Sequence, residues 1–127
     1  MTIAEVSKKY DISLDTLRYY ERVGMIPPVT RTAGGTRDYQ EKDCSWVELA
    51  KCMRSAGLPV EAMIEYVKLY QEGDSTISAR LQLLSDQREL LFEQRKKIDA
   101  TLYRLNYKIA RYEIAMETGK LSWEKSE

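Results

Sequence analysis

The feature that most constrains this chain is a run of apolar residues in its C-terminal third, spaced alternately four and three apart. This spacing places the side chains on one stripe of an α-helix and is typical of a coiled coil. Arg88 and Arg95 interrupt the stripe, and Tyr112 and Met116 extend it. The dimer contacts predicted on it are Ile77, Leu81, Leu84, Leu91, Ile98, Leu102, Leu105 and Ile109.

This helix is predicted to be continuous, because no glycine or proline occurs between Thr76 and Thr118. At 1.5 Å per residue it would be roughly 60 Å long, too long to bury its stripe against the rest of so short a chain. A second copy of the chain is the simplest partner, so we predict a homodimer whose long helices pair, with an antiparallel arrangement expected. An intramolecular helical hairpin is the alternative.

The first 24 residues predict two short helices joined by a tight turn. Thr2 and Glu5 have the spacing of a capping box, which marks the start of the first helix. A three-residue turn, 11–13, follows, and Ser13 suits the N-cap of a second helix that ends at Gly24. This is the helix-turn-helix pattern, in which the second helix enters the major groove of DNA.

The second predicted helix has an apolar side and a mixed outer side. Leu14, Leu17 and Val23 turn one way, and Asp15, Arg18, Tyr19 and Arg22 turn the other. Arginine beside an aromatic hydroxyl can hold a phosphate oxygen or a base edge, because charge is combined with directional donors. An ordinary solvated helix face is the alternative interpretation of this surface.

Residues 29–40 predict a small hairpin, because Ala33-Gly34-Gly35 separates two short extended runs. Arg31 and Arg37 fall on opposite arms, and Tyr39 should share a face with Arg37. A hairpin after a helix-turn-helix is a wing, and its basic residues commonly contact the phosphates of the DNA backbone. A solvent-facing loop is the alternative. Two further helices, at about 42–56 and 59–72, are predicted to cover the first two.

Composition excludes several classes of function. The 127 residues carry no net charge, so any contact with nucleic acid must come from locally placed residues. No histidine is present, and the two cysteines are predicted to be free thiols. We therefore expect no enzyme activity, no cofactor and no metal. Neither a signal peptide nor a membrane-length apolar run occurs, which favours a cytoplasmic protein without a membrane partner.

Taken together, the segment Thr16-Leu-Arg-Tyr-Tyr-Glu21, the wing from Arg31 to Tyr39 and the terminal coiled coil resemble the MerR family of bacterial transcription regulators. The resemblance covers essentially the whole chain. It implies a mainly α fold with a winged helix-turn-helix domain and accessory helix pair (1–73), a dimerisation coiled-coil helix (74–118) and a short tail (119–127). The DNA contacts that it implies are Ser13, Thr16, Arg18, Tyr19, Tyr20, Arg31, Arg37 and Tyr39.

The resemblance also implies a mode of action. Family members bind, as dimers, a near-palindromic promoter site between two polymerase recognition elements that lie too far apart for good transcription. When an effector is sensed, the dimer bends and untwists this DNA and realigns the elements, which is readout through deformation. The implied partners are double-stranded promoter DNA, a second copy of the chain and, indirectly through the promoter, bacterial RNA polymerase.

The cysteines suggest what is sensed. Only 119–127 follow the coiled coil and no cysteine follows Cys52, so neither a large ligand-binding module nor a soft-metal site is expected. The stretch 49–58 resembles a thiol-sensing subgroup of the family that responds to aldehydes, other carbonyl electrophiles or nitrosative stress. That subgroup implies Cys52 as the effector-sensing residue, with Lys51 and Arg54 near enough to favour its thiolate.

Two alternatives stay open at this level. Cys52 can be a buried structural thiol, because unpaired cysteine is among the most buried residue types. The whole chain can instead be an adaptor that binds a partner through its coiled coil without touching DNA, which its neutral charge favours. Cys44 lies eight residues before Cys52 on the same predicted helix, about 12 Å along the axis, so the two thiols cannot bridge without unwinding it.

Overall fold

The computed structural model describes residues 1–123, which are mainly helical. Within them, five α-helices follow in order: α1 Ile3–Tyr10, α2 Leu14–Val23, α3 Glu41–Ser55, α4 Val60–Glu72 and α5 Ile77–Thr118. A short 3-10 turn, Asp74–Thr76, joins α4 to α5. The expected fold class is confirmed. Residues 124–127 of the predicted tail lie outside the described residues.

Local capping fixes the ends of the first two helices. The Thr2 hydroxyl accepts from the Glu5 N–H at 3.2 Å, and the Glu5 carboxylate accepts from the Thr2 N–H at 2.8 Å, so the capping box is formed. The Ser13 hydroxyl accepts from the Thr16 N–H at 3.1 Å and begins α2. Gly24, with φ of 86°, ends that helix in the left-handed conformation that glycine favours.

The core of the N-terminal part forms where α1, α2 and the turn between them meet α3 and α4. Ile12 is buried in that turn, beside the fully buried Val6 and Leu17. Leu14 was expected on the apolar side, and this is wrong, because it is exposed. As the first residue of α2 its side chain leans toward the helix start, away from the packed second turn. The remaining large buried side chains include Met25, Ile26, Val29, Val47, Met53, Leu58, Met63 and Val67.

The wing is a minimal hairpin. Within residues 1–123, extended pairing is limited to one antiparallel bridge between Arg31 and Arg37. The Thr32 N–H donates to the Thr36 carbonyl at 2.8 Å, and the Asp38 N–H donates to the Thr30 carbonyl at 2.7 Å. These bonds hold the two arms together closely enough to place both arginines at the same level of the hairpin.

The long helix α5 buries none of its residues between Ile77 and Thr118. Seven of the eight predicted dimer contacts are exposed, and Leu91 is half-buried. At the start of α5, the Thr76 hydroxyl donates to the Leu69 carbonyl at 2.6 Å. An uncovered apolar stripe of this length is unfavourable in water, so the stripe needs a partner surface.

The described chain divides into two compact units, Met1–Arg88 and the part from Glu89 onward. In the second unit the tail folds back on α5, where the Trp123 ring meets the Tyr112 ring edge to face at 5.8 Å between centroids. Among the described residues, no helix combines the length and the apolar character that crossing a membrane requires.

Candidate nucleic-acid interface

The outer face of α2 carries an arginine and a tyrosine side by side. Arg18 and Tyr19 are both exposed, and the Arg22 guanidinium lies over the Tyr19 ring at 5.5 Å from its centroid. Arg18 pairs with Asp15 at 3.3 Å, an exposed contact that contributes little to stability. The face therefore presents guanidinium and phenol donors to solvent, which are the groups that bind phosphates and base edges.

The start of the same helix adds two hydroxyls. The Ser13 hydroxyl donates to the Thr16 hydroxyl at 2.8 Å while it caps the helix. Ser13 is exposed and Thr16 is half-buried. Both predicted contacts thus lie at the end of α2 where backbone N–H groups favour negative charge.

The two wing arginines are tied to α2 through Glu21. The Arg37 Nε donates to Glu21 Oε1 at 2.7 Å. The Arg31 Nη2 lies 3.1 Å and 3.2 Å from Glu21 Oε1 and Oε2, and the Val29 N–H donates to Oε2 at 2.7 Å. Glu21 therefore joins both arms of the wing to the predicted recognition helix.

The electrostatics of Glu21 fit this arrangement. Burial by itself would raise the pKa of the Glu21 carboxyl. The hydrogen bonds from the Val29 N–H and from Arg37, with the charges of Arg31 and Arg37, outweigh burial and lower that pKa below its usual value. The carboxylate is accordingly ionised and the ion pairs are formed throughout the neutral range.

Two predicted contact residues are core residues instead. Tyr20 is 6% exposed and Tyr39 is 1% exposed, which corrects the expectation that they stand on the DNA-facing surface. Tyr39 follows the wing where the chain bends toward α3, and its N–H donates to the Met1 carbonyl, so strand alternation does not continue to it. The Tyr39 hydroxyl has no hydrogen-bond partner among residues 1–123, and burial raises its pKa. Both rings therefore belong to the core of the N-terminal part and not to its surface.

The two cysteines lie in different environments. Cys52 is exposed and Cys44 is buried. The alternative of a buried structural thiol therefore fits Cys44 and does not fit Cys52. Lys51 and Arg54 are near enough in sequence to favour a Cys52 thiolate, but in the structure they donate to backbone carbonyls, of Tyr10 and of Leu58 respectively. The two cations that neighbour Cys52 in sequence therefore join α3 to the end of α1 and to the segment before α4.

Sequence reasoning missed two features of this region. No role is predicted from the sequence for Glu21 of the family motif, although an acidic residue between Tyr20 and Arg22 on a predicted DNA-binding helix was the available signal. A group around Tyr10 was also missed: partial burial, with Cys44 and Glu48 beside it, raises the pKa of the Tyr10 hydroxyl to about 12. Sequence separation hides this group, because Tyr10 and Cys44 belong to different helices.

Comparisons with a family model, with individual proteins and with solved structures all point to the same family. The family model described as MerR HTH family regulatory protein matches residues 1–69. The HTH-type transcriptional regulator AdhR of Bacillus subtilis (strain 168) is 55% identical over 93 residues, which cover 73% of this chain and 66% of AdhR. The match thus spans just under two thirds of that relative.

Two solved structures are similar over almost the whole chain. One is HiNmlR, a MerR family regulator that lacks the sensor domain and was crystallised with promoter DNA, with 32% identity, a TM-score of 0.83 and 94% coverage of each chain. The other is a protein from Listeria monocytogenes assigned to the same family, with 39% identity, a TM-score of 0.90 and coverage of 94% of this chain and 90% of that one.

Proposed function

This chain belongs to the MerR family of transcription regulators, and we propose that it acts as a homodimer that binds promoter DNA and switches transcription by changing the shape of that DNA. The observation that carries the proposal is that Glu21 ties the two wing arginines to α2, whose outer face exposes Arg18 and Tyr19. A similar chain, HiNmlR, was crystallised bound to promoter DNA, which supports the same partner here.

In this proposal the residues 1–73 form the DNA-binding domain. Arg18 and Tyr19 contact base edges or phosphates in the major groove, and Ser13 and Thr16 contact the backbone at the start of the helix. Arg31 and Arg37 reach the phosphates beside the groove. Tyr20 and Tyr39 have no direct contact, since both are buried.

The residues 74–118 form the dimerisation helix. Its exposed apolar stripe pairs with that of a second copy, and the paired helices hold two copies of α2 at a fixed separation on a near-palindromic site. The dimer bends and untwists an over-long promoter spacer, so that RNA polymerase meets its two recognition elements in register. The polymerase is thus a partner through the promoter.

Cys52 is the proposed sensor of electrophiles such as aldehydes, other carbonyl compounds or nitrosative agents. Exposure supports this role, because a reagent can reach the thiol without unfolding the domain. Its neighbours in sequence close the contacts of α3 with the Tyr10 and Leu58 carbonyls. An adduct at Cys52 would therefore form one residue after Lys51, which joins α3 to the end of α1.

Replacement of Arg18 by alanine tests the proposed DNA surface. We expect about 30-fold or greater reduction of affinity for a palindromic promoter duplex, because each dimer is deprived of two well-placed cationic groups, each worth roughly 1–3 kcal/mol. Fluorescence anisotropy with a labelled duplex measures this effect. Lys97→Ala, which removes another exposed positive charge, from α5, is the control and should bind like the parent. Equal affinities of the two variants would show that Arg18 does not contact DNA.

A further inference from the structure

We propose that Glu21 is a positioning residue for DNA recognition, which holds Arg31 and Arg37 in the orientation in which the wing meets the phosphates. The inference rests on the proposed function, since it assigns a role within the same DNA surface. It has an unusual consequence: removal of a negative charge that faces DNA should weaken binding to DNA.

The contacts of Glu21 join three parts of the fold. Its side chain is 11% exposed and belongs to α2. It accepts hydrogen bonds from the Val29 N–H, just before the first arm of the wing, and from Arg31 and Arg37 on the two arms. Charge-assisted bonds of this kind are short and directional, so they fix the angle of the wing relative to α2.

Glu21 leaves most of each guanidinium available. A guanidinium group has five N–H donors, and Glu21 engages only Nε of Arg37 and Nη2 of Arg31. The other donors of both groups make no hydrogen bond within residues 1–123, and the two side chains are 24% and 41% exposed. Each arginine is therefore held through one nitrogen and keeps further N–H donors that a phosphate oxygen can use.

Two physical effects of Glu21 have opposite signs. A carboxylate near a polyanion repels it, so electrostatics alone predicts that removal of this charge tightens binding. Fixed guanidinium groups give up less side-chain entropy when they bind, so positioning predicts that removal of Glu21 weakens binding. Glu21 is largely buried and already neutralised by two arginines, which reduces the repulsive effect. The positioning effect is therefore expected to be the larger one.

Glu21→Gln provides the test, because the amide can still accept from the Val29 N–H while the two charge-assisted pairs are removed. We expect about tenfold weaker binding of a palindromic promoter duplex by the full chain. The slope of log affinity against log salt should also become shallower, by up to about 0.9 for each phosphate that the wing no longer neutralises. Glu61→Gln is the matched control: it makes the same change at an exposed carboxylate of α4 that pairs with no arginine of the proposed DNA surface, and its affinity should equal that of the parent.

Two further variants separate positioning from simple support of the fold. Arg37→Lys keeps the charge but not the rigid fork, so it should bind more weakly than the parent even if Glu21→Gln fails to fold. In an Arg31→Ala/Arg37→Ala background, Glu21→Gln should have no further effect on affinity, because Glu21 acts through these arginines.

Three results would overturn the inference. Unchanged or tighter binding by Glu21→Gln, with the parent binding tightly, refutes the positioning role alone. A full additional reduction of affinity in the double-alanine background would show that Glu21 acts on the fold rather than on the arginines. A folded parent that binds no duplex at any salt concentration would instead refute the proposed function, and the inference with it.

Discussion

Replacement of Leu102 and Leu105 by glutamate is expected to produce a monomer that no longer binds the promoter tightly. The two side chains are 49% and 50% exposed in the single chain and lie on the predicted stripe of α5, which buries none of its residues. Charges placed in the apolar seam of a coiled coil would be buried without partners, which disfavours the dimer strongly. The small domain, whose core does not include these residues, should remain folded.

The monomeric variant should bind DNA more weakly because it has one recognition helix, whereas the dimer has two. Linking two binding modules raises the overall affinity by about 10²–10⁴-fold, so a monomer that reads one half-site should bind weaker by a factor in that range. Sedimentation equilibrium gives the oligomeric state, and anisotropy with the labelled duplex gives the affinity. Ala100→Glu with Ala110→Glu adds the same two negative charges at exposed positions outside the stripe and should leave the dimer intact. A glutamate variant that remains dimeric would contradict the assignment of the seam.

Replacement of Cys52 by serine is expected to abolish the response to electrophiles while promoter binding stays within about twofold of the parent. A thiolate adds to an electrophilic carbon, whereas a serine hydroxyl is not ionised at neutral pH and does not. With an α,β-unsaturated aldehyde, the Cys52 sulfur would bond to the β-carbon and the α-carbon would take up a proton. The exposed position of Cys52 means that serine should cost little stability.

Reporter transcription with and without the aldehyde measures the response, and mass spectrometry of the purified chain locates the adduct. Cys44→Ser is the matched control, because Cys44 is buried and should remain unmodified in the folded protein. Full induction of Cys52→Ser by the aldehyde would refute the sensing role. An adduct confined to Cys44 would transfer that role to the other thiol.

Local sequence signals predicted the helices well. Thr2 with Glu5, and Ser13 with Gly24, are pairs whose side-chain or backbone chemistry acts within a few residues, and each ends or begins a helix where it was expected. The stripe of α5 was equally visible, because its period depends only on helix geometry. Such features need no knowledge of the rest of the fold.

Features that depend on tertiary contacts were not predicted. The alternation that placed Tyr39 beside Arg37 assumes a strand that continues, but the hairpin has a single bridge and Tyr39 turns into the core. Lys51 and Arg54 pair with backbone carbonyls, which every residue carries, so no sequence signal marks these partners. Glu21 meets Arg31 and Arg37 from ten and sixteen residues away, a contact that only the folded wing creates.

The most direct test of promoter recognition measures the affinity of the purified protein for two duplexes as salt is raised. One is a palindromic duplex selected for binding to the protein, and the other is a scrambled duplex of the same composition. We predict a large preference for the palindrome and a linear, steep fall of log affinity with log salt, because the wing and α2 release counterions from several phosphates. Equal and weak affinity for both duplexes at every salt concentration would contradict the proposal and favour a coiled-coil adaptor that does not bind DNA.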